Sequence, residues 1–251
     1  MKRTSIPALV EAPIPTGAPD HGPEIIACPS CSNGFTPASA EMNLFGHSMS
    51  IKQKHCDDCC KDAESRFAEM SKGVSIEGRD DWSDICPKCY QCFDLEKAPK
   101  AISDAYYRVI HWNPNSTRGI GLMGASKTGK TFLVYELLRR LHEAGKSICD
   151  TTGTELAWAI ASPDQSDRRE LIERLVKADI AFIDDLGKEK ITNTVEADLY
   201  HIVEQRRRNL KPLFVTVNSS GDELAERMSR DCGEAFINRL REDVCDFIKV
   251  G

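Results

Sequence analysis

The sequence lacks several things, and each absence narrows its class. There is no excess of positive charge: 33 Lys and Arg stand against 39 Asp and Glu, a net charge of -6. The chain as a whole is therefore not a polycation, and contact with nucleic acid has to come from local basic patches or from an assembly. No apolar run is long enough to span a bilayer. No apolar stretch of signal-peptide length follows Met1-Lys2-Arg3, so the expected compartment is the cytoplasm, with no membrane partner. No internal repeat is visible.

What the sequence does have is cysteine. Eight of its 11 cysteines lie between Cys28 and Cys92. In a reducing compartment, clustered cysteines point to metal ligation before disulfides. The other three, Cys149, Cys232 and Cys245, are scattered and are expected to be buried small apolar residues.

The 251 residues allow one ordinary domain and a small accessory one. Prolines at 7, 13, 15, 19 and 23, with no helical or strand period, mark residues 1–24 as a disordered tail. A cysteine-rich module over 25–80 follows, with a short charged helix expected at Asp57–Met70. Residues 81–112 form a connector that ends in a helix. From 113 to 251 strands and helices alternate, which predicts a parallel sheet covered on both faces. The strands are expected at Ile120–Met123, Ser147–Asp150, Asp179–Ile183, Pro212–Val217 and Val244–Val250.

Gly124-Ala125-Ser126-Lys127-Thr128-Gly129-Lys130-Thr131 has the spacing of a phosphate-binding P-loop. Its glycines let backbone approach phosphate, and successive N–H groups point at the anion. The helix that starts near Lys130 and continues through Phe132 adds its positive end. Lys130 is expected to reach the β- and γ-phosphates of ATP, and Thr131 to bind Mg²⁺. Lys127 reads as a solvated side chain. The apolar run from Ala178 to Ile183 ends in Asp184 and Asp185. Ligands sit at the carboxyl ends of parallel strands, so Asp184 is expected in the Mg²⁺ shell and Asp185 beside the attacking water.

The P-loop, the Asp184-Asp185-Leu186-Gly187 turn and the strand Phe214–Asn218 recur here in an order that resembles the DnaC-like helicase loaders and the IstB-like transposition ATPases of the AAA+ class. The resemblance covers roughly residues 112–250. It implies an α/β P-loop NTPase fold without a C-terminal lid, and a slow ATPase stimulated by partner or DNA. The implied partners are a replicative helicase, single-stranded DNA and further copies of the chain when ATP is bound. It implies a sensor role for Asn218, which on the residues alone is also a turn-former before Ser219-Ser220-Gly221. It implies an arginine finger at Arg239, with Arg241 the near alternative; the pattern alone gives a solvated surface helix. Arg206-Arg207-Arg208 ends a helix, where cations suit the negative dipole end.

Cys28-Pro-Ser-Cys31 and Cys56-Asp-Asp-Cys59 are two pairs separated by 24 residues. Each can clamp one side of a tetrahedral Zn²⁺, and the family often carries such a module. Cys86 reads as structural packing, while Cys89 and Cys92 stay open, as packing residues or as ligands of a second zinc with Cys60, His55 or His47.

Overall fold

A computed structural model of the chain describes residues 26–27, 34–35, 39–44, 47–52, 57–71, 80–91, 103–229 and 233–250. The 1–24 tail, Cys28, Cys31, Cys56, Cys92 and Cys232 lie outside the described residues, and of Cys59 only the backbone is described. The N-terminal part holds two antiparallel pairs, β1 (Ile26–Ala27) with β2 (Gly34–Phe35) and β3 (Ser39–Leu44) with β4 (His47–Lys52). The charged helix α1 follows at Asp57–Ser71. A short turn of helix, α2 (Trp82–Ile85), and a 3₁₀ turn at Lys88–Tyr90 lead toward α3 (Ser103–Ile110).

The remainder is a five-stranded parallel sheet made by β5 (Gly119–Met123), β6 (Ile148–Thr152), β7 (Ile180–Asp184), β8 (Leu213–Val217) and β9 (Cys245–Lys249). Its order is β6-β7-β8-β5-β9, and every pairing is parallel. The helices are α4 (Lys130–Glu143), α5 (Gly153–Ala161), α6 (Gln165–Lys177), α7 (Asn193–Arg208), α8 (Gly221–Glu226) and α9 (Gly233–Arg239).

Local chemistry sets their ends. Thr152 and Ser220 open α5 and α8 with capping boxes to Glu155 and Glu223. Asp164, just after Pro163, caps α6, so α5 and α6 are separate helices. Gly145, at φ 89°, closes α4, with the Lys146 amide donating back to the Leu141 carbonyl. The helix that opens at Gly233 stops at Arg239 and continues as a π-turn, Leu240–Val244.

The two faces of the sheet follow from the strand period of two. Ile120, Leu122, Ile148, Phe182 and Phe214 face one core, which also takes in Phe67 of α1, Cys86, Val109 of α3 and the α4 leucines. Ala181, Ile183, Val215, Val217 and Cys245 face the other, beneath α5 to α9. Cys149 and Cys245 are buried there as small apolar residues, with burial pushing the Cys149 thiol up to about 11. Among the described residues no helix is long and apolar enough to cross a membrane.

Candidate nucleotide site

The carboxyl ends of β5, β7 and β8 bring together most of the residues singled out from sequence. Gly124 leaves β5 at φ 155°, its amide donating to the Val217 carbonyl at 3.2 Å. A Cβ here would sit 2.0 Å from the Val250 carbonyl oxygen, so only glycine fits between β8 and the end of β9. The loop turns through Lys127 at φ 63°, its side chain exposed, and enters α4 from Gly129 at φ 89°. Gly129 offers no side-chain cap. The first amides of a 14-residue helix are thus directed at the loop without a side-chain acceptor at the cap position.

Lys130, only 4% exposed, folds back into this loop. Its ammonium donates to the carbonyls of Gly124 (2.9 Å) and Ala125 (2.7 Å) and to Asn218 Oδ1 (2.7 Å). Asn218 Nδ2 in turn donates to Asp185 Oδ1 at 2.5 Å. The amide's orientation is fixed by chemistry, because the ammonium can only donate and the carboxylate only accept. Burial pulls the Lys130 amine below its ordinary range, while Asp185 and Asp184 oppose that shift.

Thr131 forms the second corner. Its hydroxyl donates to Asp184 Oδ1 at 2.8 Å, and Thr216 Oγ1 donates to the same oxygen at 2.5 Å. The Asp185 amide donates to Thr216 Oγ1 at 2.8 Å, which holds Asp185 at φ 53°. Burial pushes the Asp184 carboxyl up, and the bonds from Thr216 and Thr131 pull it back. Lys188 reaches the other Asp185 oxygen at 3.3 Å.

Two participants escaped the sequence reading. Thr216 is fully buried and ties both acidic residues together; the one available signal is a hydroxyl inside the apolar strand Leu213–Val217. Tyr90 lies against the first turn of α4, its ring edge-on to Phe132 at 5.8 Å. No local pattern gives that contact, since 42 positions separate the two residues.

Arg239 is not brought to this site. It pairs with Glu204 of α7, lies over the Tyr200 ring at 5.2 Å, and has Asp243 at 4.0 Å. Arg206 departs from its expected role as a helix-end cation. It is fully buried and donates to the carbonyls of Leu175, Ala178, Asp179 and Pro212, because the chain folds the amino ends of β7 and β8 around it. Among the described residues no group of three or more His, Cys, Asp or Glu side chains is placed to hold a metal.

No protein-family model matches the chain, and no curated protein matches it. Solved structures do share its fold. A protein described as a primosome component from Streptococcus pyogenes serotype M3 superposes with a TM-score of 0.55 at 19% identity, over 66% of this chain and 90% of that one. The DnaC helicase loader gives 0.51 at 18% identity, over 68% and 98%. The replication initiator DnaA, bound to AMPPCP and single-stranded DNA, gives 0.52 at 14% identity, over 66% of this chain and 50% of that one. This chain therefore spans about half the length of the replication initiator it matches. With the P-loop at the carboxyl end of β5 and β8 inserted between β5 and β7, the fold is an α/β P-loop NTPase core that these proteins share.

Proposed function

We propose that this chain is an ATP-binding and ATP-hydrolysing accessory protein of DNA replication, of the helicase-loader kind. The observation that carries the reading is the bonded chain Lys130–Asn218–Asp185 beside the corner Thr131–Asp184–Thr216, both at the mouth of one glycine-bearing loop.

The residues fit the groups they would hold. Gly124 to Gly129 supply a backbone cradle that a Cβ at Gly124 would obstruct, and α4 supplies uncapped amides. Phe132 stands in the same first turn of α4. Thr131 and Asp184 offer the hard oxygens that a small divalent cation takes alongside phosphate and water. Magnesium bound there would neutralise charge developing across the β- and γ-phosphates. Lys130 would exchange its loop carbonyls for phosphate oxygens, since a charged acceptor is stronger than a neutral one. Asn218 would orient Asp185, and Asp185 would polarise the attacking water. Arg239 would complete the site of a neighbouring copy, which makes the ATP-bound form a homo-oligomer.

The replication reading rests on fold likeness to a helicase loader and to an initiator bound to single-stranded DNA. It assigns a replicative helicase and single-stranded DNA as partners. Cys28, Cys31, Cys56 and Cys59 would hold one structural zinc, which elemental analysis of protein purified without chelator should find at one ion per chain. The functional test is steady-state ATP turnover by the full chain, with and without magnesium and single-stranded DNA. Magnesium-dependent turnover raised by the DNA is expected; no turnover and no nucleotide binding under any of these conditions would end the reading.

A further inference from the structure

The backbone at Arg118, where the chain enters β5, is anchored on both sides. Its amide donates to Ser116 Oγ at 3.0 Å. Its carbonyl accepts from Ser116 Oγ and from Trp112 Nε1, each at 2.9 Å. Trp112 is buried and meets the Phe214 ring edge-on at 5.1 Å. From this fixed point the guanidinium reaches the π-turn that follows Arg239. It donates through Nη2 to the carbonyls of Arg241 (2.8 Å) and Cys245 (2.9 Å), through Nη1 to the Glu242 carbonyl, and through Nε to Asp246 Oδ1 (2.8 Å). The last carbonyls of a helix have no partner inside it, and a charged donor bonds them more strongly than a neutral one.

The turn that Arg118 grips is irregular. The Cys245 amide closes back on the Leu240 carbonyl, five residues earlier rather than four. One extra residue in the ring rotates whatever precedes it by about 100° relative to the strand that follows. That strand, β9, is fixed in the sheet by its pairing with β5. If the turn relaxed to α geometry, Arg239 would swing off Glu204 and Tyr200. Asp243, 4.0 Å from the Arg239 guanidinium, lies inside the same turn. The carbonyls held by Arg118 stand between the two: Arg241 and Glu242 come after Arg239 and directly before Asp243.

We propose that Arg118 is a positioning residue for Arg239: by holding the carbonyls of the π-turn it sets the direction in which Arg239 is presented to a neighbouring copy. The inference rests on reading Arg239 as a group that acts in trans. It makes a side chain at the entry to β5 govern the reaction centre of the neighbour and not that of its own chain.

The test uses full chains, a fluorescent ATP analogue for binding and steady-state ATP turnover for the assembled form. Arg118→Ala should bind the analogue with wild-type affinity, since none of the side-chain contacts of Arg118 involves the P-loop. Turnover should fall roughly ten- to a hundredfold, the scale of a misplaced catalytic group. Arg118→Lys, which keeps a cation but loses the fork, should fall less. Mixing supplies a readout that a loss of stability would not reproduce. An Arg118→Ala chain keeps its own loop, and a Lys130→Ala chain keeps its own Arg239, so co-assembled mixtures should regain part of the activity. Unchanged turnover in Arg118→Ala overturns the inference. So does a loss of analogue affinity as large as the loss of turnover, because Arg118 would then only hold the fold. A co-assembled mixture that recovers nothing, while Arg239→Ala mixed with the same partner does recover, overturns it as well and leaves the role of Arg239 standing. If the Arg239→Ala mixture also recovers nothing, the trans reading of Arg239 and the inference fall together. If Arg118→Ala does not fold, the same measurements on Arg118→Lys decide, and wild-type turnover there overturns the inference.

Discussion

Two buried cations stand at opposite ends of the same sheet. Lys130, at the carboxyl ends of the strands, donates to two loop carbonyls and to the amide of Asn218. Arg206, at the amino ends of β7 and β8, donates to four backbone carbonyls and has no carboxylate among those partners. Burial lowers the affinity of both for their protons, that of Arg206 to about 10. The difference lies in what the partners can do. Carbonyls at a strand's amino end belong to the fold and stay where they are. Partners in the P-loop and on Asn218 are neighbours of exchangeable acids and hydroxyls, so a bound anion can replace them. Desolvation of a cation therefore marks both a staple and a site, and only the partner set tells them apart.

The largest effect on stability should come from the staple. Arg206→Ala leaves four carbonyls without their donor, and unfolding in urea should show a loss of about 3 kcal/mol or more. A loss within about 0.5 kcal/mol, the range of ordinary surface substitutions, would refute the structural role. Arg239 belongs to neither end, since it sits on Glu204 and Tyr200. If it acts on a neighbouring copy, Arg239→Ala should lower turnover about a thousandfold while ATP binding by the isolated chain persists. Mixing it with Lys130→Ala chains should restore part of the activity, because some interfaces then pair an intact loop with an intact finger. Demonstrated co-assembly without recovery would leave Arg239 a packed surface residue.

At the site end, Lys130→Ala should reduce turnover on the order of a hundredfold or more and leave urea stability near the wild-type value. A stability loss as large as that of Arg206→Ala would erase the contrast between the two cations. The smallest effect is expected at Thr216. Thr216→Val keeps the strand and its volume but removes the hydroxyl between Asp184 and the Asp185 amide. Turnover should fall about tenfold, with the magnesium requirement raised. Unchanged kinetics would show that the two acidic residues hold their places without it.

The P-loop and Asp184-Asp185 were legible because their chemistry is local. Phosphate needs several consecutive amides, so the glycines and Lys130 fall within one short window. A buried strand ending in acids is likewise continuous in sequence. The strand positions after residue 112 followed for the same reason, whereas the short strands over 26–52 and the π-turn after Arg239, which has no periodic signature, did not. Thr216 was hidden because a threonine in a strand is ordinary until the opposing residue is known.

By itself the sequence determined the strands after residue 112 and their order, the glycine-bearing loop and the acidic strand end, because helix and strand periods and loop chemistry act over a few neighbouring residues. Only the tertiary structure decided that β8 lies between β5 and β7, that Thr216 joins the two acids, that Arg206 is a staple and that Tyr90 packs on Phe132 and Tyr135. Each of these depends on which distant surfaces pack together. That choice is made by burying two opposite sheet faces at once, and no window of the chain contains it.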